Sequence, residues 1–452
     1  MCAWAGPASA DPVTGPLATN PFLGPLGTAT MHGDAGSSDV TPLAGPRPGA
    51  AVTVYPLAAA CPTLLQGSDG LVVGLCTAIA GQTPTVFLFD AAATGPVGKA
   101  VASLPLARGS LLGGVYAYLD NEDRLVVVDG GRQLLRVAHV RNGDGAWRLE
   151  AGVQADLSGA IPQGDNVTGL VPDWAGNVWF ATGRGIVGFV DAQGRVATVT
   201  LPSGEQVTNS ISSAPNGGVA VASSHALYEL RAEDGLPELL WRAPYDRGSA
   251  RKPGQLGWGT GSTPTYFGPV TGDEYLAIVD NADDQVKLIV ARSGSGEQVC
   301  SIPVPVRGSE NSPIAIGSSI FVASTYGYPY PAVPEGAGPA VPANAPFRGG
   351  LSRVDLTVGG CVPVWDSAIR SAAVPRLSLA DGGIHTVRRV GPDMTTPLDG
   401  FDYVVIDPET GAVRTSTPLP GTVAEDPLQM AALIARDGAL WQGTISGVVR
   451  VG

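Results

Sequence analysis

A chain of 452 residues exceeds what one hydrophobic core usually holds, so it forms several domains or repeats one unit. Charged residues are only 15%, Gly (62) and Pro (39) are abundant, and 44% hydrophobic residues suffice for a core, which excludes a disordered chain and indicates many short strands joined by turns. The formal net charge of −13, with Lys and Arg scattered, disfavours nucleic acid and anionic membrane surfaces as partners.

The first residues end in Ala8-Ser9-Ala10 before Asp11-Pro12, a small-residue pattern like the cleavage site of a secretory signal. Residues 1–10 are therefore expected to be a signal-peptide remnant, and the protein to be exported, secreted or held at the cell envelope. No other stretch is long and apolar enough to span a bilayer. Residues 11–50, rich in Pro, Gly, Ala and Thr and without periodicity, read as an extended arm over a folded body. Its polar residues are concentrated in Met31-His32-Gly33-Asp34 and Ser37-Ser38-Asp39, so the arm is expected to bring His32 and Asp34 to a pocket.

From residue 51 the chain repeats itself. Turn-centred strand pairs occur at Leu64–Val73, Ala117–Val128, Gly169–Phe180, Ser212–Val221, Tyr266–Val279, Pro313–Val322 and Leu377–Thr386, and in the last stretch with Asp437-Gly438 at its turn. Each pair is followed by a third strand and, except in the last, a fourth. Unit three shows this with Gly185–Val190, the turn Asp191–Gly194, and Arg195–Leu201, where Gly194 supplies the positive φ that the turn needs. Spacings of about 40 to 65 residues are those of propeller blades. A blade cannot bury its faces alone, so neighbours must stack and the array must close. The fold expected for 51–452 is all-β: one β-propeller of eight four-stranded blades. Seven follow if the first pair belongs to the arm. Asp426 to Ala435, the one helical candidate, reads as a strand from its position. The last unit, Ala431–Gly452, has three strands, and its outer strand is expected from Val52–Leu57.

Two insertions break the rhythm, Pro244–Thr263 entering unit five and the Tyr- and Pro-rich Tyr326–Gly350 within unit six. Long loops on a rigid scaffold are where binding usually resides, which makes Tyr326 a candidate ligand contact. Of five cysteines, Cys2 would leave with the signal. Cys61 and Cys76 fit neighbouring strands of one sheet, and Cys300 and Cys361 the outer ends of successive units, so the pairings expected are Cys61–Cys76 and Cys300–Cys361. Disulfides agree with export.

In a propeller the first strand of each blade lines the channel, so residues leading into it converge on the axis. These are Asp165-Asn166, Asn209-Ser210, Ser262-Thr263, Glu310-Asn311, Arg376 and Gln429. Glu310 is the candidate base or metal ligand, Arg376 the holder of an anionic group or oxyanion, and His32 the group free to lie over the funnel. Asn166, Asn209, Thr263, Asn311 and Gln429, with Asp34, are candidate ligand contacts. The acidic run Asp280-Asn281-Ala282-Asp283-Asp284 offers Asp280, Asn281 and Asp283 as alternating oxygen donors for Ca²⁺ or another divalent cation. No Ser-His-Asp arrangement is readable, because the flanks of His139, His225 and His385 are strand-like.

Asp407-Pro-Glu-Thr-Gly411, between the third and fourth strands of unit seven, is similar to the Asp-x-x-Thr-Gly turn of quinoprotein (PQQ-type) propeller repeats. In that family the turn is followed by a Trp that docks one blade on the next, a position held here by Thr415 and, in unit five, by Cys300. That resemblance implies a propeller and PQQ, although the adjacent Cys-Cys pair that those enzymes set against PQQ is missing. Pro172-Asp173-Trp174-Ala175-Gly176-Asn177-Val178-Trp179-Phe180 resembles turns of gluconolactonase-type lactonases and lyases, which implies an axial divalent cation. The function expected is binding of a small polar or sugar-like molecule in the funnel, with hydrolase or lyase (lactonase-like) chemistry. A non-catalytic envelope binding propeller and a PQQ oxidoreductase are the other readings.

Overall fold

The computed structural model describes residues 13–92, 96–109 and 116–452. Ala8–Ala10 and Cys2, on which the signal-peptide reading rests, lie outside them. Eight sheets form a ring of eight antiparallel blades, each with four strands ordered from axis to rim. All eight turns read from the sequence join a first strand to a second.

Blade 3 shows how the residues make the unit. Val167–Pro172, Val178–Thr182 and Ile186–Val190 are buried throughout, whereas outer Val196–Thr200 alternates with solvent. Inner strands are covered on both faces by neighbouring blades and therefore read as continuous apolar runs; the rim strand keeps a wet side. Glycine at positive φ closes the turns, as at Gly176 (φ 86°) and Gly194 (φ 77°).

Ring closure follows the expected pairing. Val52–Pro56 is the outer strand of the last blade, with Val52 opposite Val451 and Pro56 opposite Gly447. Tyr55 is fully buried there, its ring 5.0 Å from Trp441 and 5.5 Å from Phe89 of blade 1. The closing strand thus brings an aromatic anchor as well as a ladder, and such rings contribute beyond their buried area.

One rim position fastens each of three consecutive blade interfaces. On the fourth strand, just before the ladder shifts register, stand Trp241, Cys300, Trp365 and Thr415, opposite Glu229, Val290, Arg353 and Val405. Trp241 reaches Gly296 of blade 5, and Trp365 reaches Gly411 of blade 7; a Cβ on either glycine would fall 2.6 Å from the indole. Between them Cys300 forms a disulfide with Cys361 of blade 6, and Cys61–Cys76 joins two strands within blade 1. Tryptophans therefore dock one blade on the next from this position in blades 4 and 6, and a covalent bond does so in blade 5.

The arm does more than lie on the body. Residues 27–41 enter the channel and bond the innermost strands in turn. Gln66 and Leu119 donate backbone N–H groups to Thr28 and Ala29. Ser213, Tyr266, Ala315 and Leu377 donate to Ala35, Gly36, Ser38 and Asp39. Val40–Thr41 pairs in parallel with Leu377-Ser378 of blade 7. Flanking arm residues hold the first-to-second-strand turns at that end, with Asn121 donating to the Pro21 carbonyl and Trp174 to that of Thr19. One end of the channel is plugged by the protein itself.

One element differs from expectation. Of Asp426–Ala435 only Leu433-Ile434 is strand, preceded by a 3-10 turn at Val423–Glu425. The Asp426 carboxylate accepts from Arg389, Tyr328 and the Leu428 N–H, and Leu428 and Gln429 stand at positive φ (52° and 57°). That buried ion pair fixes a turn where a strand would separate its partners.

Candidate functional site

Above the plug, a cavity of about 350 Å³ occupies the open end of the channel. Its floor is Met31-His32 of the arm, and Asn209, Thr263, Glu310, Asn311, Ser312 and Gln429 face it from the leads into successive first strands. Tyr330, Pro331, Ala332 and Pro334 of the blade 6 insertion wall one side. Ala78, Ile79, Val374, Met430 and Ile445 give the other side an apolar character.

Glu310 is the chemically exceptional group. It is 8% exposed, and neither carboxyl oxygen makes a hydrogen bond of regular geometry among the described residues, although the Leu256 N–H and the Asn209 amide lie close enough to act on it. Burial pushes its carboxyl up to about 8, against weak opposition from Asn209, the Leu256 backbone and the Arg251 charge. At neutral pH it is mostly an acid with a proton to donate. A Cβ on Gly261 would lie 2.7 Å from Oε2 and 2.3 Å from the Glu310 Cα, so this position needs glycine. Tyr116 shares the lining and donates to Asn209 Oδ1 at 3.4 Å. Burial raises the phenols of both Tyr116 and Tyr330, with the Glu310 charge adding to it.

His32 is held by its own arm. Its Nδ1 lies 3.0 Å from Asp39 Oδ1, and the Ser312 hydroxyl donates to Asp39 Oδ2 at 2.9 Å. With Nδ1–H on Asp39, Nε2 is left as the acceptor, 3.4 Å from the Thr263 hydroxyl. Asp39 is fully buried, with the Arg376 guanidinium 3.9 Å away. A carboxylate–imidazole–hydroxyl series therefore exists, although no Ser-His-Asp pattern is readable in the chain. Its orienting residue, Asp39, and Ser312 went unassigned because nothing in the arm's composition pairs residues seven apart.

Other sequence candidates lie elsewhere. Arg376 is buried below the floor, where it donates to the Met31 and Gly27 carbonyls and anchors the arm, so it does not face a ligand. Asp34 points to the far side of the arm, where it accepts from the Ser38 N–H and hydroxyl; burial raises it to about 6. Asn166 lies outside the lining, and neighbouring Asp165 caps the Asn166 and Arg184 N–H groups. Tyr326 belongs to a separate outer cleft with Arg307 and Arg348.

Asp280, Asn281 and Asp283 do not converge on a cation. Asp280 accepts from the Ala282 and Lys287 N–H groups, Asn281 donates to the Arg247 and Ala250 carbonyls, and Asp283 accepts from Ser249. These side chains secure the long connection into blade 5. Among the described residues no group of three His, Cys, Asp or Glu is placed to hold a metal ion. Among the described residues Glu310 is the one carboxylate in the lining, which does not fit a resident Ca²⁺ needing six to eight oxygens. PQQ fits no better: both disulfides are remote from the kind of adjacent pair that those enzymes use, with Cys61–Cys76 packed in the core and Cys300–Cys361 on the rim.

No family model matches the sequence. An uncharacterized protein of Archaeoglobus fulgidus is 32% identical over 125 residues, which are 26% of this chain and 24% of that protein; the chain thus spans about a quarter of that relative's length. Among solved structures, a europium-containing methanol dehydrogenase is 10% identical, with 94% of this chain and 97% of that one covered and a TM-score of 0.51. The Dos1 propeller is 9% identical over 88% of this chain and 94% of its own, also at 0.51. Both likenesses concern the propeller fold alone.

Proposed function

We propose that this is an exported propeller that binds a small polar or sugar-like molecule in the axial cavity. The observation that supports the reading is Glu310, a buried carboxyl whose oxygens make no hydrogen bond of regular geometry and which lines a chamber of ligand size. Buried polar groups are normally satisfied, so an unsatisfied pair facing a chamber fits a ligand contact. Asn209 Nδ2, which makes no hydrogen bond of regular geometry, lies beside that carboxyl on the same wall. The two disulfides agree with an oxidising compartment.

The His32–Asp39 geometry favours a second reading, in which the bound molecule also reacts. Asp39 orients the imidazole, Nε2 takes a proton from water or from the substrate, and Glu310 supplies one to the leaving group. Hydrolysis and elimination both suit such an acid–base pair. Thermal-shift screening of the purified chain against a metabolite panel tests the first reading, since a ligand bound only by the folded state raises Tm. A hit whose stabilisation survives Glu310→Gln unchanged rejects the site. Turnover lost in both Glu310→Gln and His32→Ala supports the second reading, and binding without turnover leaves a non-catalytic receptor.

A further inference from the structure

The reading of the axial cavity as a ligand site leaves the charge of the ligand open, and the donor–acceptor inventory around Glu310 narrows it. Glu310 offers two oxygens that make no hydrogen bond of regular geometry. Tyr116 gives its hydroxyl hydrogen to Asn209 and keeps oxygen lone pairs. The Gln429 amide donates to the Ser371 carbonyl, while its Oε1 accepts from Asn311. Against these acceptors, Asn209 Nδ2 is a donor beside the carboxyl, and it carries no charge. Two phenol rings, of Tyr116 and Tyr330, line the same chamber, and ring faces attract cations.

We propose that the cavity takes an amine: a primary or secondary ammonium group seated on the Glu310 carboxylate, flanked by Tyr116 and Tyr330, with a compact apolar or sugar-like body against Ile79, Val374 and Met430. An ammonium brings only donors and a full positive charge, which matches two orphaned acceptor oxygens better than a hydroxyl does. A buried carboxylate alone is costly, and a well-placed cation offsets part of that cost.

The charged and titratable groups facing Glu310 do not provide that cation. Arg251, from the connection into blade 5, is the nearest guanidinium by its effect, yet its Nε and Nη1 are engaged with the Gly338 and Gln255 carbonyls at 2.9 and 2.7 Å. His32, from the arm, is paired with Asp39. Tyr116 and Tyr330 carry no charge at neutral pH, burial having raised both. The net charge of −13 draws cations towards the protein at long range.

Proton exchange is the signature. With its carboxyl at about 8, Glu310 is protonated at pH 7 and must release that proton when an ammonium docks. Isothermal titration calorimetry of the full chain at pH 7 would compare cyclohexylamine, cyclohexanol and cyclohexanecarboxylate in two buffers of different ionisation heat. The expected result is amine affinity at least tenfold above that of the alcohol, with release of about one proton per amine bound. Glu310→Gln should lose the amine preference over the alcohol, and Tyr330→Leu should weaken the amine several-fold. Alcohol or carboxylate binding as tightly as the amine, or amine binding without proton release, overturns the proposal. The proton count uses the unaltered chain, so it decides even where a variant does not fold. Alcohol binding without amine binding refutes the charge assignment alone, whereas three silent probes refute the axial site with it.

Discussion

Glu310→Gln should change how stability depends on pH. Glu310 titrates at about 8 in the folded chain against 4.5 when exposed, so folding binds its proton more tightly. The folded state then holds more protons than the unfolded state between those values, and stability falls as pH rises through that window. At roughly 1.4 kcal/mol per pH unit, the full span amounts to ~5 kcal/mol at most, and relaxation around the buried charge reduces it to a few. Gln has nearly the same shape and does not titrate. Urea unfolding of both proteins from pH 4.5 to 9 should give midpoints that diverge, with the variant gaining a few kcal/mol over wild type by pH 8.5. Asp34, raised to about 6, slopes the same way but is common to both proteins and cancels. Parallel profiles would show that Glu310 is solvated or paired, and the site argument would fail with them.

Other outcomes follow from the ring. Trp365→Ala should cost about 2–3 kcal/mol in urea unfolding, because the half-buried indole packs on Gly411 of the next blade. Gly411→Ala should be destabilised by the same clash from the other side. Cys300→Ser with Cys361→Ser opens a span of 61 residues and should lower stability by up to ~4 kcal/mol, the chain-entropy figure for such a loop. Tyr55→Ala should cost about 3–5 kcal/mol, since it removes a fully buried ring between Trp441 and Phe89 at the closure. A Tyr55→Ala variant as stable as wild type would mean that the closing strand does not hold the ring.

The architecture was legible because turn chemistry and burial agree along the chain. Asp437-Gly438 sits between two apolar runs, and the following Val448–Val451 run needs a fourth partner, which Val52–Pro56 supplies. Glu310 was legible for a related reason: a carboxylate leading into a strand that turns apolar at Ile314 has to face the axis. The docking tryptophans were not, because the glycine that each contacts belongs to the next blade, about 46 to 55 residues onward, so no local motif joins them. Arg376 misled because first-strand position fixes only that a side chain points inward; whether it meets ligand or arm depends on a segment with no periodicity. Asp39 and His32 lie within such a segment, held by contacts to blades 5, 6 and 7 that only the folded ring creates.

The most direct test is a crystal structure of the protein with the most stabilising ligand from the metabolite panel. The ligand should lie above His32 with a polar group within about 3 Å of the Glu310 carboxyl, between Tyr116 and Tyr330. Density for it only in the outer cleft beside Arg307 and Tyr326, with the axial chamber unchanged, would contradict the assignment of the site.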